Sequence, residues 1–87
     1  MEFKHKLPEH LIAKAVTFDE FANGGSQATL RLRSGKEIGG VLISNGTFII
    51  AIQGFSDLPF PMGEVVDLYQ SEIDRTSPRR SGWTLFK

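Results

Sequence analysis

The sequence predicts a mostly β domain: a small five-stranded barrel carrying one N-terminal α-helix. Three observations lead there. Apolar residues before Asn23 recur at helical spacing, the period changes to two from Gln27 onward, and glycine-containing turns then punctuate the chain at short intervals. Pro8 suits a first helical turn, where its missing N–H costs nothing. Leu11, Ile12, Ala15 and Val16 share one face, so a helix is expected over about 8–22. Within it, Thr17 and Glu20 have the spacing of a capping box that could begin a second short turn. Asn23-Gly24-Gly25 stops the helix, since glycine reaches the left-handed region cheaply.

Thr29, Arg31 and Arg33 alternate with Ala28, Leu30 and Leu32, which describes a half-buried strand. Ser34-Gly35-Lys36 is a turn, and Ile38 to Ser44 is the next strand, with Gly39-Gly40 marking a sharp bend inside it. Asn45-Gly46 is a strong hairpin signal because both residues tolerate positive φ. Phe48-Ile49-Ile50-Ala51-Ile52 is a continuous apolar run, the pattern of a strand covered on both sides or of one that meets a partner chain on one side. Gly54 to Gly63 reads as a loop, unusually apolar through Phe55, Leu58, Phe60 and Met62, so it is expected to pack on something. Glu64 to Tyr69 reads as a strand and Ser71 to Arg75 as a further short one. Ser77 to Gly82 is a turn, and Trp83 to Phe86 forms a closing strand or a docked tail. The domain is thus expected as a single unit over 1–87, with the barrel over about 27–76 and a tail over 77–87. One helix followed by short, bent strands is the order of an SH3-like or Sm-like barrel.

Composition narrows the class. Eighty-seven residues with a 40% apolar fraction support one core. There is no cysteine, so neither disulfides nor thiolate metal sites contribute. A domain this small often gains stability by oligomerising. No stretch approaches the ~20 apolar residues that span a bilayer, and the start lacks a signal-peptide core. A cytoplasmic, soluble protein with no membrane partner is expected. Ten basic and ten acidic residues cancel, but not evenly along the chain. Residues 1–36 carry six basic and four acidic side chains, 37–74 six acidic and no basic, and 75–87 four basic and no acidic. A local positive patch can therefore exist on a neutral molecule.

Leu32-Arg33-Ser34-Gly35-Lys36-Glu37-Ile38-Gly39-Gly40-Val41-Leu42 resembles the first Sm motif, a strand, a glycine turn and a glycine-bent second strand. Ile43-Ser44-Asn45-Gly46-Thr47-Phe48-Ile49-Ile50 continues it without a gap. Leu68-Tyr69-Gln70-Ser71-Glu72-Ile73-Asp74-Arg75-Thr76-Ser77-Pro78-Arg79-Arg80 keeps the spacing of a second motif, in which a tyrosine is followed by Lys-His, an isoleucine, a proline and an arginine. On these residues the chain resembles the Sm-like family, closest in pattern to its bacterial Hfq branch. The resemblance implies a ring of identical subunits that binds single-stranded RNA without catalysis. The departures fall on RNA-contacting positions. Asn45-Gly46 stands where Hfq proteins carry Phe-Asp, and Gln70-Ser71 stands where the Lys-His pair reaches uridine. Ile50 takes the place of the base-stacking asparagine of other Sm proteins. Uncharged Ala22-Asn23-Gly24 lies where Hfq has rim arginines.

By the resemblance, Thr47, Phe48, Gln70 and Ser71 surround the pore on one ring face. There Phe48 would stack a base while Gln70 and Ser71 bond base edges; Phe48 as plain core is the alternative. Arg31, Gly35, Lys36, Glu37 and Arg75 fall on the opposite face, which in Hfq binds purine-rich strands. Arg31, Arg33 and Lys36 can track phosphates there, or form a solvated face paired with Glu37, Glu72 and Asp74. The subunit interface implied by the resemblance sets Phe48, Ile50 and Ile52 against Leu68 and Tyr69 of a neighbour. Independently of any family, a run such as 48–52 on a sheet edge must be covered, by a second subunit or within the monomer. His5 and His10 are poorly spaced for a shared metal, Asp19-Glu20 cannot face each other, and Gly35-Lys36 lacks the rest of a phosphate loop. No enzyme activity, cofactor, metal or small-molecule substrate is expected. Trp83 and Phe86 either dock a partner or cap an open barrel end. Two functions stay open: a homo-oligomeric ring that binds single-stranded RNA, or a small β-barrel module for protein–protein interaction or assembly with no nucleic-acid binding. The motif spacing points to the first; the neutral charge, the missing Lys-His and the apolar loop point to the second.

Overall fold

The computed structural model describes residues 3–79 and 81–87; Met1 and Glu2 of the chain start and Arg80 of the second motif lie outside them. The element order is α1 (Glu9–Ala15), β1 (Glu20–Ala22), β2 (Gly25–Leu32), β3 (Glu37–Ser44), β4 (Phe48–Ile52), β5 (Val65–Tyr69) and α2 (Glu72–Thr76), with a 3-10 turn at Met62–Glu64. All strands pair antiparallel. The order is β1-β2-β3-β4, and β5 joins β2 through Thr29–Leu32, beyond the stretch that β1 occupies. β4 shares no ladder with β1 or β5, so the hydrogen-bonded sheet is open there. The fold is mostly β, five antiparallel strands behind an N-terminal helix.

Two of the expected elements differ. The helix over 8–22 is shorter: α1 ends at Ala15, the Thr17 hydroxyl donates back to Lys14 O, and Glu20–Ala22 is a strand. No capping box forms between Thr17 and Glu20. The reason is Gly24, whose φ of +76° closes a tight turn and folds β1 onto the start of β2. A stop signal for a helix was also the corner of a hairpin. The second difference is 71–75, expected as a strand within a barrel reaching 76. It is the helix α2, because Ser71 and Asp74 cap it reciprocally: Ser71 Oγ accepts from Asp74 N–H and the Asp74 carboxylate accepts from Ser71 N–H. The Asn45-Gly46 turn and the bend at Gly40 stand as read, with φ of +53°, +66° and +65°. A Cβ on Gly40 would lie 2.9 Å from Gln53 Cβ, so the bend needs glycine for space as well.

Side chains of β2 alternate between two faces. Ala28, Leu30 and Leu32 point into the core, where Val41, Ile43, Ile49, Ile52, Val65 and Leu68 meet them. Leu7, Leu11 and Ala15 close that core from the N-terminal side. Each fully buried Leu or Ile contributes about 1.5–3 kcal/mol. Leu58, Phe60 and Met62 of the long loop pack against the same core, as does Phe86 of the tail. The apolar loop thus packs on the core through Leu58, Phe60 and Met62, while Phe55 stays exposed. Gln27 and Thr29 point the other way, beneath α2.

Candidate functional site

The residues expected at a pore are engaged within the chain. Gln70 uses its whole amide: Oε1 accepts from Asp19 N–H at 2.9 Å, and Nε2 donates to Asp19 O and Gln27 O, both at 3.0 Å. It ties the segment before β1 to β2. Ser71 is the cap of α2. Thr47 donates its hydroxyl to Asn45 O, and its carbonyl accepts from Leu7 N–H. The Phe48 ring, half buried, lies against Phe3 with centroids 5.7 Å apart. Thr47 and Phe48 stand at the β4 side of the sheet and Gln70 and Ser71 at the β5 side, with β2 and β3 between them.

The opposite set is occupied in part. Arg31 Nε is 3.9 Å from Glu37 Oε2, and Glu37 Oε1 accepts from the Tyr69 hydroxyl at 2.7 Å. That carboxylate pushes the Tyr69 phenol above its ordinary 10.0. Arg33 pairs with Glu64 and donates to Gly63 O. Lys36 and Arg75 are exposed, on the β2–β3 turn and on α2, with no ion pair among the described residues.

Of the residues expected at an interface, Ile52 and Leu68 are core, and Tyr69 is held by Glu37. The outer edge of β4 carries bonds from both chain ends. Leu7 N–H donates to Thr47 O at 2.8 Å, Ile49 N–H to His5 O at 3.0 Å, and Phe86 N–H to Ile50 O at 2.9 Å; Lys6 bridges Phe48. His5 joins the two ends, its ring edge-on to Phe86 at 5.5 Å and its Nε2 3.6 Å from Asp57. On the β5 side, Asp67 takes Lys14 Nζ at 3.0 Å and the Leu68 N–H on one oxygen. Those two bonds hold its carboxyl below the ordinary 3.8.

Two features were not foreseen. The first is Asp74, 3% exposed, whose carboxylate accepts from Gln27 Nε2 (2.7 Å), Thr29 Oγ1 (3.0 Å) and Ser71 N–H (2.9 Å). A buried carboxylate is tolerated when several donors face it. The S-x-x-D spacing was the signal that could have located it. The second is a cleft of about 250 Å³ on the outer sheet face, between the β1–β2 turn and the tail. Leu42, Ser44 and Ile50 form its floor, and Phe21 and Trp83 stand at its sides. Ala51, opposite Leu42, is fully buried yet lies outside the core cluster. The Trp83 indole N–H is buried with no hydrogen-bond partner among the described residues.

No group of three or more His, Asp or Glu side chains among the described residues could hold a metal ion. No described helix is long and apolar enough to cross a membrane. No protein-family model, curated protein or solved structure matches the chain.

Proposed function

We propose that this chain is a non-catalytic protein-interaction module, built on an Sm-like or SH3-like barrel plan, that acts as a single subunit and binds no nucleic acid. The observation that carries this reading is the β4 edge. In an Sm-like ring that edge would receive the neighbour's strand, whereas here His5–Leu7 and Phe86 already use its backbone groups. Ring closure would first have to strip them away and expose Leu7, which is 2% accessible. The side chains support the same reading. Gln70 and Ser71 have spent their hydrogen bonds internally, and Arg31 and Arg33 are each paired with a glutamate. What then offers itself to a partner is shape and apolar surface, at the cleft beside Trp83.

The test is titration of labelled oligo-U and oligo-A at low and high salt. The module reading expects no saturable binding to either at low salt, where phosphate attraction is strongest. Saturable binding that weakens with salt, and is reduced by Arg31→Ala with Lys36→Ala, would overturn it in favour of an RNA-binding face on the β2–β3 side.

A further inference from the structure

We propose that the cleft beside Trp83 takes an acidic peptide segment, seating one apolar side chain on Leu42 and Ile50 and setting its carboxylates against Arg79. The proposal deepens the interaction-module reading and rests on it. Size is the first consideration. About 250 Å³ holds a single leucine or phenylalanine side chain but falls short of the ~300–1,000 Å³ of a site for a whole small ligand. The cleft is therefore an anchor pocket. The anchor's chemistry follows from its surroundings: aliphatic Leu42 and Ile50, aromatic Phe21 and Trp83, and, among the described residues, polar side chains from Asn23 and Ser44.

Charge identifies what flanks the anchor. Arg79 is exposed, and its Nη2 lies where a Cβ on Gly82 would come within 3.5 Å, next to Trp83 along the chain. Like Lys36 and Arg75, it makes no ion pair among the described residues, but it alone of the three stands close to Trp83. Its backbone is fixed, because Arg79 N–H donates to the buried Gln27 Oε1 at 2.9 Å. No acidic residue follows Asp74 in the sequence, so every charged side chain of 75–87 is basic. An unpaired guanidinium close to an apolar pocket complements a carboxylate on a residue next to the one whose apolar side chain fills it. A nucleic-acid strand fits less well. Base edges would find few hydrogen-bond partners on an aliphatic floor.

The probe is a fluorescein-labelled octapeptide with one leucine among glutamates, compared with its lysine counterpart and with oligo-U, read by anisotropy and by amide shifts of the intact chain. The glutamate peptide is expected to saturate and to move Leu42, Ser44, Ile50 and the Trp83 indole. Arg79→Glu, at an exposed position that leaves the fold intact, is expected to weaken it by about five- to tenfold. Trp83→Ala should remove the anchor contribution and leave only salt-sensitive residual binding. Equal binding of the lysine peptide, no saturation, or displacement of the peptide by oligo-U would overturn the proposal. Peptide shifts confined to another surface would overturn the cleft while leaving the interaction module standing.

Discussion

Ala28, Leu30 and Leu32 point to one side of β2 and Gln27 and Thr29 to the other, and both sides are buried. The inner side is closed by apolar contact, which has no direction and tolerates any well-shaped neighbour. The outer side is closed by one carboxylate, Asp74, whose three bonds each require a donor in place. A strand can thus be sealed twice by different physics, and the two seals should fail differently.

Leu30→Ala breaks the inner seal and should cost the most, about 2–5 kcal/mol, seen as a lower urea midpoint with an unchanged slope. The whole sheet loses stability together. Asp74→Ala breaks the outer seal and strands the Gln27 amide, the Thr29 hydroxyl and the Ser71 N–H, at about 2–4 kcal/mol. Its signature is local: amide protection should fall over 71–79 before it falls in β2 and β3. If Asp74→Ala instead lowers protection uniformly, the two faces are one cooperative unit. Ser71→Ala sharpens the contrast further, removing the cap but not the carboxylate, for about 1 kcal/mol.

The inner seal was legible in the sequence because apolar alternation encodes it directly. Thr29 was equally legible as an alternating position and still misleading, since alternation cannot tell a polar side chain in water from one under a helix. Asp74 lies outside any apolar pattern, and Glu72-Ile73-Asp74-Arg75 has no strand-breaking residue, so a strand was read where a cap makes a helix. The same holds at Asn23-Gly24: a left-handed glycine ends a helix or turns a hairpin, and only pairing with β2 decides. Of the candidate site, the residues were readable but their commitments were not. Gln70 at a pore and Gln70 bonded to Asp19 and Gln27 are the same letter in the sequence.

The smallest effect belongs to the strut between α1 and β5. Lys14–Asp67 is half exposed, so its contribution is under about 1 kcal/mol and is screened by salt. Asp67 is held below 3.8 in the folded chain, so its contribution is complete above that value and is lost as pH falls through the lower folded one. Lys14→Met should flatten the pH dependence of stability in that acid window and leave neutral stability nearly unchanged. Acid unfolding that is identical with and without Lys14 would remove the strut from the account.

In a ring of the Sm-like plan β4 is the edge that a second copy would use, and there His5–Leu7 and Phe86 of the same chain already lie. Light scattering on the intact chain measures the outcome directly. The account predicts a mass of 9.7 kDa at every concentration tried. A stable multiple of that mass would mean that His5–Leu7 and Phe86 yield the edge to a neighbour, and the single-subunit module would be wrong.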